Sequence, residues 1–233
     1  MIREAIILAG GFGTRLQSVV SDKPKAMAAI NNRPFLEIML AWLEKKGIER
    51  VILALGYKAD AIVNHFGEGF RSLKIEYSIE GYPLGTGGAL KKAFKLAKGA
   101  SVFALNGDTL FDVDFEEMAG FHEKKQSSLT IALKKSADCA RSGSVALDSQ
   151  NRITRFDEKK FKKSALISGG VYIIKTSIFE GFEPGEKFSF ECDFIERFCR
   201  EKSFYGLAFD GFFIDIGIPE EYSKAQVCLS DFR

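Results

Sequence analysis

The chain has 233 residues, and 33 lysines and arginines face 31 aspartates and glutamates, which leaves a formal net charge of +2. This near balance argues against a dedicated nucleic-acid binder, which would carry a basic stripe, but it allows a small anionic substrate. No apolar run approaches the roughly 20 residues that a membrane span needs, and no signal-peptide pattern is present. We therefore expect a cytoplasmic protein without nucleic-acid or membrane partners. The four cysteines lack C-x-x-C spacing, which indicates free thiols.

The first half of the chain alternates apolar runs with amphipathic segments. Residues 4–8 predict a strand that ends in a glycine-rich loop. Continuous or alternating apolar runs predict further strands, and apolar residues at helical spacing predict helices. The predicted strands lie at 51–56, 75–79 and 101–105, and the predicted helices at 34–46, 59–66 and 86–96. This alternation is typical of a parallel, doubly wound sheet.

The second half changes style, with predicted strands at 128–133, 144–147, 153–156 and 169–174 and predicted helices at 191–200 and 219–229. No Ser/Gly/Pro-rich linker separates the halves. We predict one α/β domain over residues 1–233: a Rossmann-like, mixed, mostly parallel sheet with an antiparallel flap and no left-handed β-helix domain. Five phenylalanines between residues 182 and 198 are expected in the core, and a homodimer is left open.

Three glycines fall within residues 10–13, Arg15 follows directly, and Lys25 comes ten residues after Arg15. A backbone can wrap phosphate oxygens only where side chains do not intrude, and its N–H groups then point at the anion. A P-loop would need G-x-x-x-x-G-K-[ST], which is absent, and a dinucleotide-binding loop would need a third glycine where Leu16 stands. A plain tight turn would explain the glycines but not the two cations.

The segment 8–16, LAGGFGTRL, with Pro24 and Lys25 following, resembles the signature of the sugar-1-phosphate nucleotidylyltransferases. The resemblance implies that the loop holds a nucleoside triphosphate and that Arg15 and Lys25 are catalytic cations on its phosphates. It implies a nucleotide-binding half over about residues 1–110 and a sugar-phosphate-binding half over about residues 111–233. The implied nucleotide-binding residues are Leu8, Ala9, Gly10, Gly11, Gly13, Thr14, Arg15, Lys25, Glu80, Gly85, Thr86, Gly88, Asn106 and Asp108.

The segment 81–90, GYPLGTGGAL, follows Glu80 and resembles the P-L-G-T-A-G-A-L segment of mannose-1-phosphate guanylyltransferases, which reads the base. Guanine presents N1–H and an amino group on one edge, and the Glu80 carboxylate can accept from both. This favours GTP over dTTP. From the segment alone, a glycine-rich turn with Thr86 as helix N-cap is an equal alternative.

Asp108 ends a predicted buried strand, and Asp215 lies in the segment FIDIGIP. Two carboxylates that converge from distant segments suit magnesium, which takes one or two carboxylates and fills its remaining positions with water and phosphate oxygens. Taken singly, each aspartate is more often an exposed loop residue or a cap. The resemblance implies that both are metal ligands, although Phe213 and Ile218 stand where the family often has Trp and Thr.

On the sugar side, residues 156–159 (FDEK) resemble the family's F-x-E-K, residues 168–172 (SGGVY) its N-A-G-x-Y, and residues 189–193 (SFECD) its S-x-E-x-D. A solvated charged loop is a strong alternative for residues 158–160. The resemblance implies a sugar-phosphate site made by Glu158, Lys159, Gly170, Glu191 and Asp193.

The resulting hypothesis is a nucleotidylyltransferase that makes a GDP-sugar and pyrophosphate from GTP and a sugar 1-phosphate, with Mg²⁺. Within the family, the chain resembles in particular the D-glycero-D-manno-heptose 1-phosphate guanylyltransferases, which implies a role in surface polysaccharide (capsule or lipopolysaccharide) precursor synthesis. Mannose 1-phosphate or another hexose 1-phosphate is the alternative substrate. A non-catalytic sugar-nucleotide-binding protein and an NAD-dependent oxidoreductase are the alternatives from other classes. His65, in a helical run, and His122, on a charged helix face, have no Ser or Cys partner, so nucleophilic catalysis is not indicated.

Overall fold

The computed structural model describes residues 1–13, 16, 23–138, 143–157 and 163–230, without the side chains of 137, 138, 163 and 164. The strands are β1 Glu4–Leu8, β2 Ala29–Ile30, β3 Arg33–Pro34, β4 Arg50–Leu55, β5 Gly69–Phe70, β6 Leu73–Ile79, β7 Ser101–Asn106, β8 Thr109–Phe111, β9 Leu129–Asp138, β10 Ser144–Leu147, β11 Ile153–Asp157, β12 Lys163–Lys175, β13 Phe204–Ala208 and β14 Phe213–Asp215. The α-helices are α1 Phe35–Lys45, α2 Ala59–Phe66, α3 Gly85–Ala93, α4 Phe115–Lys124, α5 Glu196–Phe198 and α6 Pro219–Cys228. A 3₁₀ turn at Lys25–Met27 and a π-helical turn at Phe190–Ile195 complete the set.

Four parallel strands, in the order β7-β1-β4-β6, form the centre of the main sheet. The apolar run of β1 is buried because helices cover both faces of the sheet, as is usual for parallel strands. Successive residues point to opposite faces, so Ile7 packs in one core with Phe35 of α1, and Ile6 packs in the other with Leu90 of α3. The parallel, doubly wound centre predicted from the alternating pattern is confirmed.

The second half adds antiparallel strands to the β7 edge. β12 pairs with β7, β9 and β10, and β10 pairs with β11, all antiparallel, while β13 lies parallel to β9. The register between β12 and β9 shifts between Ser168 and Tyr172. The mixed α/β sheet of the prediction is therefore confirmed, but β13 was not predicted, and β9 continues to Asp138 where the alternation predicts an end at residue 133.

The phenylalanine-rich segment forms much of the second core, as predicted. Phe182, Phe188, Phe190 and Phe194 are all buried there, and Phe198 packs against them from a partly buried position. The helix predicted over 191–200 is instead a π-helical turn followed by the three-residue α5.

Two smaller features differ from the predictions. A separate two-stranded sheet, β8 with β14, joins the segments that carry Asp108 and Asp215. The other is His122, expected on a charged helix face, which is buried where α4 packs on the sheet. Among the described helices, none is long and apolar enough to cross a membrane.

Candidate active site

A cleft of about 630 Å³ opens where β1 and β7 end. Open α/β sheets bind ligands at the carboxyl ends of their strands, so this is the expected place for a site. The cleft is lined by residues 8–13, Lys25, Ala26, Glu80, Pro83, Gly85, Thr86, Ala89, residues 106–109, residues 168–170, Lys187, Glu191, Phe213, Asp215 and Gly217.

Most of the residues predicted for the site are brought together at this cleft. Thr14, Arg15, Glu158 and Lys159 lie outside the described residues, and their roles stay predictions. The predicted residues that line the cleft are Leu8, Ala9, Gly10, Gly11, Gly13, Lys25, Glu80, Gly85, Thr86, Asn106, Asp108, Gly170, Glu191 and Asp215. Gly88 and Asp193 are not among the lining residues.

The glycine loop turns back on the segment that carries Lys25. Gly13 has φ +61°, and a Cβ on it would lie 2.8 Å from Cβ of Lys25. A side chain at position 13 would thus be strained by the backbone and blocked by its neighbour. The loop and Lys25 can approach only because position 13 is glycine, which gives a packing reason for one of the glycines.

Lys25 and Asp108 form an ion pair inside the cleft, in which the Lys25 ammonium donates to Oδ2 of Asp108. The Lys25 side chain is only 13% exposed, and that of Asp108 is 33% exposed. A Cβ on Gly217 would lie 2.8 Å from Nζ of Lys25 and 2.7 Å from Oδ1 of Asp215. The lysine therefore points into a space that both aspartates border.

The two aspartates reach this space through the β8–β14 sheet. Asp215 lies opposite Thr109 in that pairing, and the Ile216 backbone N–H donates to the Asp108 carbonyl oxygen at 2.9 Å. The Gly217 N–H donates to Oδ1 of Asp215 at 2.7 Å. The convergence of the aspartates, predicted from the sequence, is thus provided by a pairing that the sequence did not predict.

The donor set at this point suits a hard divalent cation. In the described part of the chain, no cluster of three or more His, Cys, Asp or Glu side chains could hold a metal by itself. Two carboxylates are what magnesium takes from a protein when phosphate oxygens and water supply the other ligands. Asp108 and Asp215 therefore fit a cation that arrives with a polyphosphate rather than a closed structural site.

The segment 80–88 is built onto the segment 186–190. The Phe188 N–H donates to the Leu84 carbonyl at 3.0 Å, and the Gly87 N–H donates back to the Phe188 carbonyl at 3.0 Å. Gly85 has φ +71°, and a Cβ there would lie 2.5 Å from the Phe188 carbonyl oxygen. Gly88 serves the same contact, since its Cβ would lie 2.3 Å from the Glu186 carbonyl oxygen, so the structure places Gly88 in packing beside the cleft.

Glu80 both lines the cleft and holds the turn that follows it. Its Oε2 accepts the Leu84 N–H at 3.0 Å. Burial raises the pKa of this carboxyl group, and the hydrogen bond from Leu84 and the charge of Lys92 oppose the rise. One oxygen of the Glu80 carboxylate therefore already accepts a hydrogen bond within the protein, so a nucleobase here would have to share that oxygen or meet the other one.

Thr86 is not an N-cap, because α3 begins at Gly85 and is preceded by Leu84 without a side-chain cap. Its hydroxyl instead accepts the Phe190 N–H at 2.8 Å and donates to Oε2 of Glu191 at 2.7 Å. The alternative reading of Thr86 as a cap is therefore wrong.

The residues of the S-x-E-x-D segment divide between two tasks. Oγ of Ser189 accepts the Cys192 N–H at 3.1 Å, and Oδ2 of Asp193 accepts the Ser189 N–H at 2.7 Å. This is a reciprocal cap at the start of the π-helical turn. Glu191 faces the cleft, whereas the structure places Asp193 in the cap that supports it.

Several lining residues were missed by the sequence reading. Among the described lining residues, Lys187 is a second cation in addition to Lys25. It stands two residues before Ser189 and belongs to none of the segments that resemble the family's motifs. Ser168 stands where the family segment N-A-G-x-Y has Asn, and its hydroxyl lies 3.0 Å from that of Tyr172.

The chain is similar to known proteins along nearly its whole length. The family model described as Nucleotidyl transferase matches residues 4–231. The chain is 49% identical over 223 residues to a D-glycero-alpha-D-manno-heptose 1-phosphate guanylyltransferase of Aneurinibacillus thermoaerophilus, covering 96% of each chain. It is 46% identical over 219 residues to the Campylobacter jejuni protein of the same name, covering 94% of this chain and 96% of that one.

A solved structure is also similar over nearly the whole chain. HddC from Yersinia pseudotuberculosis superposes with a TM-score of 0.87 at 38% identity, covering 97% of this chain and 99% of that one. A second structure of HddC, complexed with GMP-PN, superposes with a TM-score of 0.85. A UDP-glucose pyrophosphorylase at 20% identity shares the fold, with a TM-score of 0.83.

Proposed function

The chain belongs to the nucleotidyl transferase family, whose model matches residues 4–231, and we propose the following reaction for it. It moves a guanylyl group from GTP to the phosphate of D-glycero-D-manno-heptose 1-phosphate and releases pyrophosphate. One observation carries the proposal: the glycine loop, Lys25, the two aspartates and Glu191 face one cleft. The choice of GTP and heptose is supported by two relatives with that name, at 49% and 46% identity over nearly their whole length.

The reaction is an in-line displacement at the α-phosphorus of GTP. An oxygen of the sugar phosphate forms the new P–O bond, and the bond to the β-phosphate oxygen breaks, so that pyrophosphate leaves. The attacking oxygen is already an anion at neutral pH and needs no general base. Because two anions must meet, catalysis rests on positioning and charge neutralisation.

Lys25 is the cation proposed for the α-phosphate. It is nearly buried, it lies beside the glycine loop, and its ammonium can exchange the Asp108 carboxylate for a phosphate oxygen without leaving the cleft. Arg15, outside the described residues, is proposed for the departing β- and γ-phosphates on the basis of the family signature alone.

Asp108 and Asp215 are the proposed ligands of Mg²⁺. When bound there, the ion supplies positive charge against the phosphate oxygens. The protein preorganises this position, because the β8–β14 pairing and the hydrogen bond from the Gly217 N–H hold the Asp215 carboxylate near Asp108.

Two neighbouring parts of the cleft wall are proposed for the base and the sugar. Glu80 and the backbone of Gly85 would meet the guanine edge, and Glu191 would accept hydrogen bonds from sugar hydroxyls. Lys187, close to Glu191 in the chain, adds positive charge to the same wall. The product would serve the synthesis of capsule or lipopolysaccharide precursors.

A pyrophosphate-release assay tests the proposal. Each of the four common ribonucleoside triphosphates is paired with heptose 1-phosphate and with mannose 1-phosphate, with and without Mg²⁺. We expect release with GTP and heptose 1-phosphate in the presence of Mg²⁺, and weaker or no release with the other pairs. Preference for mannose 1-phosphate would replace the sugar assignment, and release with no pair would refute the proposed function.

A further inference from the structure

A hydroxyl group joins the regions of the cleft proposed for the base and for the sugar. Thr86 stands on the first turn of α3, directly after Gly85, whose backbone is proposed to meet the base, and Glu191 stands 105 residues later on the wall proposed for the sugar. Both side chains line the cleft. A hydrogen bond across this sequence separation is a tertiary contact between the two substrate regions.

The donor and acceptor roles at Thr86 are determined by its partners. A hydroxyl has one proton to donate. Since Phe190 presents a backbone N–H to Oγ1 of Thr86 at 2.8 Å, Oγ1 is the acceptor in that bond. The hydroxyl proton is then directed to Oε2 of Glu191 at 2.7 Å, where the bond is charge-assisted.

The surroundings hold this arrangement rigidly. The Phe188 carbonyl accepts the Gly87 N–H of α3, the Phe188 N–H donates to the Leu84 carbonyl, and the absence of a side chain at Gly85 lets the Phe188 carbonyl approach closely. On the other side, Ser189 approaches Oε2 of Glu191 at 3.3 Å while capping the π-helical turn. Of the two hydroxyls, that of Thr86 makes the shorter contact with the carboxylate.

We infer that Thr86 is a positioning residue for the sugar phosphate, acting through Glu191, and that it makes the sugar site depend on the placement of the base-binding segment. The inference rests on the proposed function. It differs from the role first predicted for Thr86, which was direct contact with the nucleotide.

Thr86→Val tests the inference, because valine keeps the shape and removes both hydrogen bonds. Apparent KM values are measured for heptose 1-phosphate at saturating GTP and for GTP at saturating heptose 1-phosphate. We expect the KM for the sugar phosphate to rise about tenfold, the size expected from losing one charge-assisted hydrogen bond. The KM for GTP should stay within about twofold, a change too small to represent a lost hydrogen bond.

Two further variants separate positioning from structure. Thr86→Ser restores the hydroxyl and should bring the KM for the sugar phosphate back to within about twofold of wild type. In a double-mutant cycle, Glu191→Ala should raise the same KM, and adding Thr86→Val to it should cause no further rise. Thr176→Val is the matched control. The Thr176 hydroxyl donates to the Gly99 carbonyl at a distance of 3.3 Å, and Thr176 does not line the cleft, so the loss of this hydroxyl should change neither KM.

A rise in the KM for GTP alone, equal rises in both, or additive effects of Thr86→Val and Glu191→Ala would overturn the inference while the wild-type reaction upholds the proposed function. Direct calorimetric titration of sugar 1-phosphate, with a GTP analogue non-hydrolysable between the α- and β-phosphates, repeats the comparison without turnover. A wild-type protein that releases no pyrophosphate with any substrate pair overturns the proposed function instead.

Discussion

Replacing His122 by glutamine should make the stability of the protein less sensitive to acid. His122 is only 5% exposed, and its neighbours are hydroxyls: Nδ1 lies 2.8 Å from Oγ1 of Thr130, and Nε2 lies 3.4 Å from Oγ of Ser101. Burial, and to a smaller degree the charge of Lys175, lower the pKa of His122 from 6.5 to about 4. The folded protein therefore holds this imidazole neutral across the mildly acidic range.

The sign and size of the effect follow from the difference between the pKa of His122 in the folded protein and its pKa in the unfolded chain. Below pH 6.5 the unfolded chain binds a proton on His122, whereas the folded protein does not bind it until the pH falls to about 4. Stability from this group is therefore present above pH 6.5, falls as the pH is lowered through the window, and is fully lost below about pH 4. The total amounts to about 3 kcal/mol, of which about 2 kcal/mol is lost between about pH 7 and about pH 5.

Urea unfolding at a series of pH values measures this directly. The wild-type free energy of unfolding should fall with acid more steeply than that of His122→Gln, by about 2 kcal/mol over the same interval. Lys175→Met is the control for the smaller contribution to the lowered pKa, which is the charge of Lys175. Removing that charge should raise the pKa of His122, so the acid sensitivity of the free energy of unfolding should decrease without disappearing. Parallel pH profiles of the wild type and His122→Gln would refute the reasoning.

Three further predictions concern the cleft. Lys25→Met should lower the turnover number about 100- to 1000-fold, because one preorganised cation at the reacting phosphate is lost; steady-state pyrophosphate release measures it, and near-wild-type turnover would contradict the assignment. Gly85→Ala should destabilise the fold by about 1–3 kcal/mol, since the backbone there has φ +71° and a Cβ would meet the Phe188 carbonyl oxygen at 2.5 Å; thermal unfolding checks it, with Gly81→Ala, where nothing lies within 4 Å, as the control. Chelation of divalent cations should abolish pyrophosphate release and added Mg²⁺ should restore it, whereas activity that persists in excess chelator would exclude the metal role proposed for Asp108 and Asp215.

The centre of the fold could be predicted because its signals are local. Continuous apolar runs produced β1, β4 and β7, and the spacing of apolar residues produced α1 and α2, the last with the observed bounds 59–66. The strands β8 and β14 could not be found in this way, since each has three residues and too few positions to show a period of two. Their pairing depends on contacts between segments about a hundred residues apart.

The site was predictable where a residue's role depends on its own segment, and less so where it depends on a distant partner. Lys25 and Asp108 were identified from motifs, and the structure shows them in contact. Asp193 matched a motif, yet its carboxylate caps the backbone of Ser189. Thr86 was assigned to the nucleotide because it lies within the segment 81–90 that resembles a base-reading segment. Its observed partner, Glu191, lies 105 residues away, and local spacing carries no signal of that contact.

The direction of β12 explains why its site residues do not follow the rule for parallel strands. The rule that sites form at the carboxyl ends of strands locates Asp108 after β7, but β12 runs antiparallel to β7, with Val171 opposite Leu105. The residues that β12 contributes to the cleft, 168–170, therefore precede this pairing instead of following it. An antiparallel strand at the edge of a parallel sheet brings its site residues in from its amino-terminal side. The rule for parallel strands therefore does not locate residues 168–170, and Gly170 was predicted instead from the resemblance of residues 168–172 to a family segment.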